Sequence, residues 1–245
     1  MMLKSRSEEI LLATVAEYIE SGEPVSSKLL FKQYNFGIRP ASIRTELSTL
    51  ESGGWLSQPY TSGGRVPTDR AYEFYIRRLQ DRLDNHEPKP SRSLSELASV
   101  FLSGSLNDFV GGFADELHTL SIGFTEDGRS IKRGLDELFG RLEAEETGVF
   151  QEIAREFEAL DERIEKYVGR KDVRQDDFQI FIGEKSPLIK NENLSTICAF
   201  YEIPSEQNFF LIAIQPKRAN YEKNVRTFRG LKSALSAGKK LESGS

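Results

Sequence analysis

Residues 39–69 read RPASIRTELSTLESGGWLSQPYTSGGRVPTD. Pro40 stands where a helix begins, a position that proline tolerates because the first amide of a helix needs no intrahelical partner. Apolar residues then recur at every third or fourth position from Ile43 to Leu50, and a glycine pair ends the pattern. We therefore predict a helix over 40–52 with one apolar face turned inward.

The second half of this stretch has the composition of a β-hairpin. Two short segments, 55–58 and 65–67, flank a polar turn that contains a glycine pair. Upstream, helical spacing over 7–21 predicts one helix, and a segment that Ser26 or Ser27 can cap and that ends at Tyr34 predicts another. Three helices followed by a hairpin is the layout of a winged helix, and a fourth helix over 69–84 leads out of it.

The rest of the chain is patterned differently, and 94–124 has only weak periodicity. From about 145 to 168 the apolar residues alternate three- and four-residue spacing, which predicts one long helix with an apolar seam. Two alternating strands follow, and then a continuous apolar run over 209–214, as expected for a central strand that is buried on both faces. A closing helix over about 219–236 completes an α+β chain.

Pro and Gly usage places one boundary, in the polar, proline-containing segment after the fourth helix. We divide the chain into a DNA-binding domain over 1–84, a linker over 85–92 and a second domain over 93–245. No apolar run approaches the ~18 residues that a membrane span needs. The single cysteine suits a reducing compartment, so we expect a cytoplasmic protein.

The charge is distributed unevenly along the chain. The formal net charge is -5, whereas residues 1–80 carry 10 Lys/Arg and 9 Asp/Glu, a net of +1. Phosphate is recognised by a local basic surface and not by the average charge of a chain. The asymmetry is mild support for nucleic-acid contact at the N-terminal end.

The helix over 40–52 is the second of a helix pair, which in a helix-turn-helix lies in the major groove. Its outward side is small and polar, and Arg44 suits a guanine edge or a phosphate. Arg65, on the glycine-flanked hairpin, suits a narrow minor groove. The predicted DNA-binding residues are Arg39, Pro40, Ala41, Ser42, Arg44, Thr45, Thr49, Thr61, Ser62, Gly63 and Arg65.

Other chemistry has little support in the sequence. His86 and His118 are far apart and neither pairs with a nearby cysteine, so we expect no metal site. Cys198 falls in a predicted strand and is interpreted as a core residue. The acidic cluster of Glu143, Glu145 and Glu146 is interpreted as a solvated helix face. We expect no enzyme activity and no cofactor.

Several segments carry a resemblance to a known family. In the first part they are Thr14–Lys28, Arg39–Leu47 and the uninterrupted hairpin string Gln58–Asp69, which is the most specific. This part of the chain resembles the heat-inducible transcription repressor HrcA family. The second half is similar to the same family more loosely, over 134–139, 181–187 and 216–221.

The resemblance implies a bacterial repressor of heat-shock (chaperone) genes that binds an inverted-repeat operator on double-stranded DNA as a homodimer. It also implies that the GroE chaperonin keeps the repressor active, and that the protein is nucleoid-associated in the cytoplasm. The family's second domain is GAF-like and carries an inserted dimerisation region. We therefore expect a winged helix-turn-helix followed by a reduced GAF-like antiparallel-sheet domain with long helices.

The chain departs from the family in length and at one helix cap. Much of the usual middle portion is missing around 94–130, so we hypothesise that the seam Phe150–Tyr167 or the segment 97–124 mediates dimerisation. The alternative is that the seam packs on the protein's own sheet. Arg39 stands where the family has a serine-like cap, which weakens the cap and adds a phosphate contact.

A second function stays open on the sequence. Three helices and a hairpin also serve as protein-docking modules, and Ser/Thr-rich helix faces are often simply solvated. In that case the first domain docks a protein and the GAF-like domain senses a ligand.

Overall fold

The computed structural model describes residues 3–60, 63–84, 90–142, 147–170, 178–202 and 208–242. The chain divides into two compact units, Met1–Arg82 with Arg218–Asn220, and Leu83–Lys217 with Tyr221–Ser245. Both contain helices and antiparallel strands, so the α+β prediction is confirmed. Most of the predicted linker, 85–89, lies outside the described residues.

The described part of the first unit begins with helices, and a hairpin follows them. Its elements are α1 (Ser5–Ser21), α2 (Ser27–Gln33), α3 (Pro40–Ser52), β1 (Leu56–Ser57), β2 (Val66–Pro67) and most of α4 (Asp69–Asp84). The predicted 40–52 and 69–84 helices are confirmed at both ends. Of the two serines predicted as the cap of α2, Ser26 is the one whose hydroxyl accepts a hydrogen bond from the Leu29 amide (3.2 Å).

The core of the first unit lies between α1, α2 and α3. The inward residues of α1 and α3 are fully or almost fully buried, and Leu30 of α2 is buried with them. The three predicted apolar positions of α3 are all in this set. The buried side chains are Ile10, Leu11 and Val15 from α1 and Ile43, Leu47 and Leu50 from α3.

The described part of the second unit combines a five-stranded sheet with helices. Its helices are α5 (Arg92–Leu102), α6 (Leu106–Leu117), α7 (Leu135–Arg141), α8 (Thr147–Glu158), α9 (Leu160–Val168) and α10 (Tyr221–Glu242). Its strands are β3 (Leu120–Thr125), β4 (Ser130–Arg133), β5 (Phe178–Ile182), β6 (Leu194–Glu202) and β7 (Asn208–Pro216). The prediction of three strands missed β3 and β4, and the weakly patterned segment 94–124 contains α5, α6 and β3.

The sheet is antiparallel throughout, in the order β4-β3-β7-β6-β5. The continuous apolar strand, β7, is therefore the central one, as predicted. Alternate residues of β7 point to opposite faces of the sheet. On one face Phe210 and Ile212 pack in a cluster with residues of α7, α8 and α9. On the other, Phe209 stacks edge-on against Phe101 of α5 and Phe109 of α6.

The predicted long helix over 145–168 is wrong, because α8 and α9 are separate helices that meet at Ala159. The apolar seam packs on the protein's own sheet. Ile153, Leu160 and Ile164 are buried in the same cluster as the central strand, and the side chain of Phe150 lies outside those described. A dimer contact through the seam stays a prediction, and the burial of these residues within one chain does not favour it.

The helical part of the segment 97–124 packs its apolar side chains on the opposite face of the sheet. Phe101, Phe109 and Phe113 are fully buried, and Phe113 stacks edge-on against Phe228 of α10. These aromatic side chains complete the core of the unit. Across the described ranges, no helix is both long and apolar enough to cross a membrane.

Candidate nucleic-acid interface

The outward side of α3 is a continuous strip of small and polar side chains. The helix buries one stripe of apolar residues against α1, so the opposite side is left at the surface. The Thr45 hydroxyl donates to the Ala41 carbonyl (3.2 Å), and the Thr49 hydroxyl donates to the Thr45 carbonyl (3.0 Å). The outward-facing strip, exposed throughout, comprises Ala41, Ser42, Arg44, Thr45, Ser48 and Thr49.

The two carboxylates of α3 are both engaged by other elements. Glu46 accepts a hydrogen bond from the hydroxyl of Ser7 in α1 (2.8 Å). Glu51 forms an ion pair with Arg65, with 2.8 Å between its Oε2 and a guanidinium nitrogen. The outward-facing strip therefore carries the positive charge of Arg44, and the neighbouring negative charges are held by hydrogen bonds at its sides.

The N-terminus of α3 differs from that of α2. Arg39 is the residue before the helix, and its side chain makes no capping hydrogen bond. Its carbonyl instead accepts from the amides of Ser42 (3.0 Å) and Ile43 (3.1 Å). Pro40 occupies the first turn, as predicted. The positive end of the helix dipole thus lies next to an exposed arginine, a combination that favours an anion.

The hairpin is joined to the segment that precedes α2. β1 pairs with β2 in antiparallel register, and backbone hydrogen bonds link Val25 to Arg65 in both directions (2.9 and 2.8 Å). A Cβ at position 64 would lie 2.4 Å from the Pro24 carbonyl oxygen, so only glycine permits this approach.

The hairpin residues predicted to contact DNA have different environments. Thr61 and Ser62 lie outside the described residues. Gly63 is partly exposed, and its amide donates to the Tyr60 carbonyl (3.0 Å). Arg65 lies at the base of the hairpin and not at its tip: its side chain is 14% exposed and pairs with Glu51. A minor-groove contact by Arg65 stays a prediction, and this geometry does not favour it.

Sequence reasoning did not select Tyr60, which is the more accessible hairpin side chain. It is 72% exposed, far more than Arg65. The sequence does contain a signal, because an aromatic residue next to a polar, glycine-rich turn has no apolar neighbour to pack against. A ring with a hydroxyl in this position can lie along a sugar–phosphate backbone.

The junction between α3 and the hairpin is fixed by Trp55. The guanidinium of Arg70 lies over its ring, 3.8 Å from the ring centre, and also donates to the Gly53 carbonyl (2.8 Å). Phe74 packs edge-on at 5.4 Å. The Thr68 hydroxyl reaches the carbonyl of Trp55 (3.0 Å). The end of α3 and the start of β1 are therefore held to α4.

The turn into α3 is supported by a buried carboxylate. Glu17 of α1 is almost fully buried and accepts hydrogen bonds from the Tyr34 hydroxyl (2.8 Å) and the Gln33 amide (3.1 Å). Burial, followed by the hydrogen bond to Glu17, raises the pKa of Tyr34 to about 12. This network ties the end of α2 to α1.

The other candidate sites from the sequence do not converge. No group of three or more His, Cys, Asp or Glu side chains is placed to hold a metal ion anywhere in the described ranges. Cys198 lies in β6 and is buried, as predicted, and burial raises the pKa of its thiol. His118 ends α6 at φ 54°. His86 and the acidic cluster Glu143, Glu145 and Glu146 lie outside the described residues.

The comparisons with known proteins identify the family. The profile described as the HrcA protein C terminal domain matches residues 68–225, well over half of the chain. The chain belongs to the HrcA family. The resemblance that the sequence suggested is thereby confirmed.

Two HrcA relatives show the extent of the similarity. The heat-inducible transcription repressor HrcA of Thermoanaerobacter sp. (strain X514) is 41% identical over 96 residues, which cover 39% of this chain and 28% of the relative. That of Thermodesulfovibrio yellowstonii (strain ATCC 51303 / DSM 11347 / YP87) is 52% identical over 75 residues, covering 31% and 22%. The chain thus spans less than a third of the length of either relative.

A solved structure shares the fold of this HrcA family chain. It is described as the crystal structure of a hypothetical protein, with a TM-score of 0.72 and 18% sequence identity. The match covers 96% of this chain and 98% of the other. At this identity the likeness shows a shared fold.

Proposed function

We propose that this chain is a sequence-specific transcriptional repressor of heat-shock (chaperone) genes, which binds an inverted-repeat operator as a homodimer. The proposed DNA reader is a winged helix-turn-helix built from α1, α2, α3 and the hairpin. One observation carries the proposal: α3 buries its apolar stripe and leaves the small, polar, carboxylate-free strip at the surface. The repressor names of the HrcA relatives support the same conclusion.

In this proposal α3 lies in the major groove. Ala41, Ser42 and Thr45 have short side chains, so the helix axis can approach the bases closely. Arg44 makes a base or phosphate contact from the same side. Arg39 and the first turn at Pro40 bind a phosphate, where the helix dipole adds to the guanidinium charge.

The hairpin contacts the neighbouring backbone or minor groove in this proposal. Its contacts are Tyr60 and Gly63, together with Thr61 and Ser62 in the same turn. Thr49 completes the α3 contacts on the side away from Arg44. Because phosphate contacts release counterions, operator affinity falls steeply with salt, by roughly one power of salt concentration for each phosphate bound.

The test begins with duplexes selected by the full chain from a random pool. The expected product is a two-fold symmetric site, since a symmetric dimer reads the same half-site twice. A non-symmetric consensus would argue against the dimer, and failure to enrich any duplex at low salt would argue against the DNA-binding proposal.

Substitutions then test the proposed face. Arg44→Gln is expected to weaken binding by about tenfold and relax the consensus at one position, as expected for loss of one specific contact. Arg129→Gln is the matched control, because it removes an exposed arginine from the turn before β4 in the second unit. Unchanged binding after combined Arg39→Gln and Arg44→Gln would contradict the assigned face.

The second unit is proposed as a reduced GAF-like dimerisation and regulatory domain. Its antiparallel sheet with helices on both faces and its match to the HrcA C-terminal domain profile support this. GroE chaperonin as the partner that maintains the active dimer, and a place in the bacterial cytoplasm at the nucleoid, are proposed from the family resemblance. Addition of GroEL is expected to raise the operator-bound fraction in a gel shift; no change would contradict that partner.

A further inference from the structure

Arg65 joins three elements of the first unit. Its backbone exchanges two hydrogen bonds with Val25, just before α2, and it leads directly into β2. Its side chain forms an ion pair with Glu51 in the last turn of α3. From this arrangement we infer that Arg65 is a positioning residue that fixes the hairpin relative to α3, and not itself a DNA contact. The inference deepens the proposed DNA-binding function and rests on it.

Burial of the pair supports a positioning role. The Arg65 side chain is 14% exposed, whereas Arg44 lies on an exposed part of α3. An arginine that contacts phosphate must present its guanidinium to the surface, and this one is covered and already bound to a carboxylate. A partly buried, well-oriented ion pair is screened less by salt than an exposed pair. The bond between hairpin and helix is therefore maintained at the salt concentrations in which DNA is bound.

The neighbourhood of Glu51 shows why the pair matters for DNA. Arg44, Ser48 and Glu51 are spaced by four and three residues, so they lie along one stripe of α3. Glu51 is 33% exposed, at the end of the helix where the dipole is negative. Unpaired, its carboxylate would repel a phosphate beside the contact made by Arg44. Arg65 neutralises this charge while it holds the hairpin.

The backbone around Arg65 is built for a fixed position. Gly64 allows the chain to pass close to Pro24, where any Cβ would collide with backbone atoms. The side-chain contact of Arg65 with Glu51 and the close backbone approach of Gly64 to Pro24 are thus made by adjacent residues. In the proposed complex the outward-facing strip of α3 and Tyr60 of the hairpin contact the same duplex. A change in the angle between α3 and the hairpin would therefore prevent both contacts from forming together.

The experiment uses Trp55, the single tryptophan of the chain, which stands between α3 and β1. In the full chain without DNA, Arg65→Gln and Glu51→Gln are both expected to raise the acrylamide quenching of Trp55. The exchanged pair, Glu51→Arg with Arg65→Glu, is expected to restore at least part of the protection. Arg44→Gln is the matched control, and it should leave quenching unchanged. Quenching that stays at the wild-type value in both single variants would overturn the inference.

DNA binding gives the second readout, on a duplex selected by the wild-type chain. Arg65→Gln is expected to lower affinity by about tenfold, the size of the coupling between residues in direct contact. It should leave the slope of log K against log salt unchanged, whereas Arg39→Gln, which removes the proposed phosphate contact, should reduce the slope by about one. The exchanged pair should recover part of the affinity. Melting curves of all variants confirm that each chain is folded.

Two results separate the inference from the function on which it rests. If Arg65→Gln reduces the salt slope as Arg39→Gln does, and the exchanged pair recovers nothing, then Arg65 contacts phosphate and the inference fails while the repressor proposal stands. If Glu51→Gln raises the affinity for DNA and steepens the salt slope, then Arg65 itself contacts DNA and is held back by Glu51. In that case too the inference fails and the repressor proposal stands. If the wild-type chain selects no duplex, the DNA-binding proposal fails. Trp55 quenching still reports whether the Arg65–Glu51 ion pair fixes the hairpin to α3.

Discussion

Replacement of Gly64 by alanine tests how closely the hairpin must approach the segment before α2. An added Cβ would lie 2.4 Å from the carbonyl oxygen of Pro24 and 2.5 Å from two backbone carbons. None of these atoms is the flexible end of a side chain, so the backbone itself has to move. We expect the Val25–Arg65 hydrogen bonds to break or lengthen.

The magnitude follows from three contributions. Loss of two backbone hydrogen bonds costs about 1 kcal/mol each. Steric overlap in a packed site destabilises the folded state by about 1–3 kcal/mol more. Alanine also lowers the conformational entropy of the unfolded chain, which offsets about 0.4–1 kcal/mol of this loss. The expected decrease in the free energy of unfolding is therefore about 2–5 kcal/mol for Gly64→Ala.

Gly63→Ala is the matched control in the same turn. Its Cβ would lie 3.3 Å from the Tyr60 carbonyl oxygen, a contact that a small shift of the turn can relieve. Urea unfolding followed by Trp55 fluorescence reports on the first unit in both variants. Equal stability of the two variants, within about 0.5 kcal/mol, would refute the steric reasoning.

Three further predictions concern buried and partly buried groups. The pKa of Tyr34 is raised from 10.0 to about 12 by burial and by Glu17, so its contribution to stability is complete below pH 10 and is lost as the pH rises toward 12. Tyr34→Phe should abolish that component of the urea midpoint's pH dependence, and an unchanged profile would contradict the assignment. Burial raises the pKa of the Cys198 thiol, so it should react with Ellman's reagent only as fast as the second unit opens, and rapid reaction in buffer would contradict its position in β6. Gly123→Ala should destabilise by about 1–3 kcal/mol, since its Cβ would lie 2.5 Å from a ring carbon of Phe209. Gly140→Ala, in open space on α7, is its control, and equal urea midpoints would contradict the prediction.

The first unit was predictable because its local signals agree with its tertiary contacts. Pro40 and the glycine pair mark the ends of α3, and Ser26 marks the start of α2. The apolar spacing between these signals corresponds to the face that is buried. The capping and helix-ending residues and the apolar spacing thus indicate the same helix boundaries. Sequence patterns are most informative when such independent signals agree.

The segment 94–124 was not predictable because its close packing uses small residues. α6 contains two glycines in its interior, and a Cβ at Gly112 would lie 2.6 Å from the Leu97 side chain. β3 places Ser121 and Gly123 on the face that α6 covers. Glycine and serine weaken both the helical and the strand pattern. The small residues that allow this close packing therefore also make the helices and the strand hard to recognise in the sequence.

The division between α8 and α9 was missed for a different reason. The apolar spacing continues without a shift across Ala159, so periodicity gives no sign of a break. The division coincides with contacts that come from distant sequence. Glu156 accepts a hydrogen bond from the Lys190 amide (2.7 Å), and Arg163 donates to the Leu188 carbonyl (3.0 Å). Such contacts lie outside any local window.

The candidate site was predictable in part. Helical spacing identified the exposed side of α3, including Arg44 and Thr45, because burial of one stripe fixes the direction of the other. It did not reveal that Arg65 pairs with Glu51, since that contact depends on how the hairpin folds back on the helix. The exposure of Tyr60 depends on the same folding.

The position of β7 has a consequence for synthesis of the protein. It is the last of the described strands in sequence, yet it stands between β3 and β6, and its partners in β3 are about 90 residues earlier. A ribosome that adds about 5–20 residues per second needs on the order of 5–20 s to make that interval. During this time Ile122 and the rest of β3 have no partner on that edge. The nascent second unit therefore exposes an unpaired strand edge, which can pair with other chains, until β7 has been made.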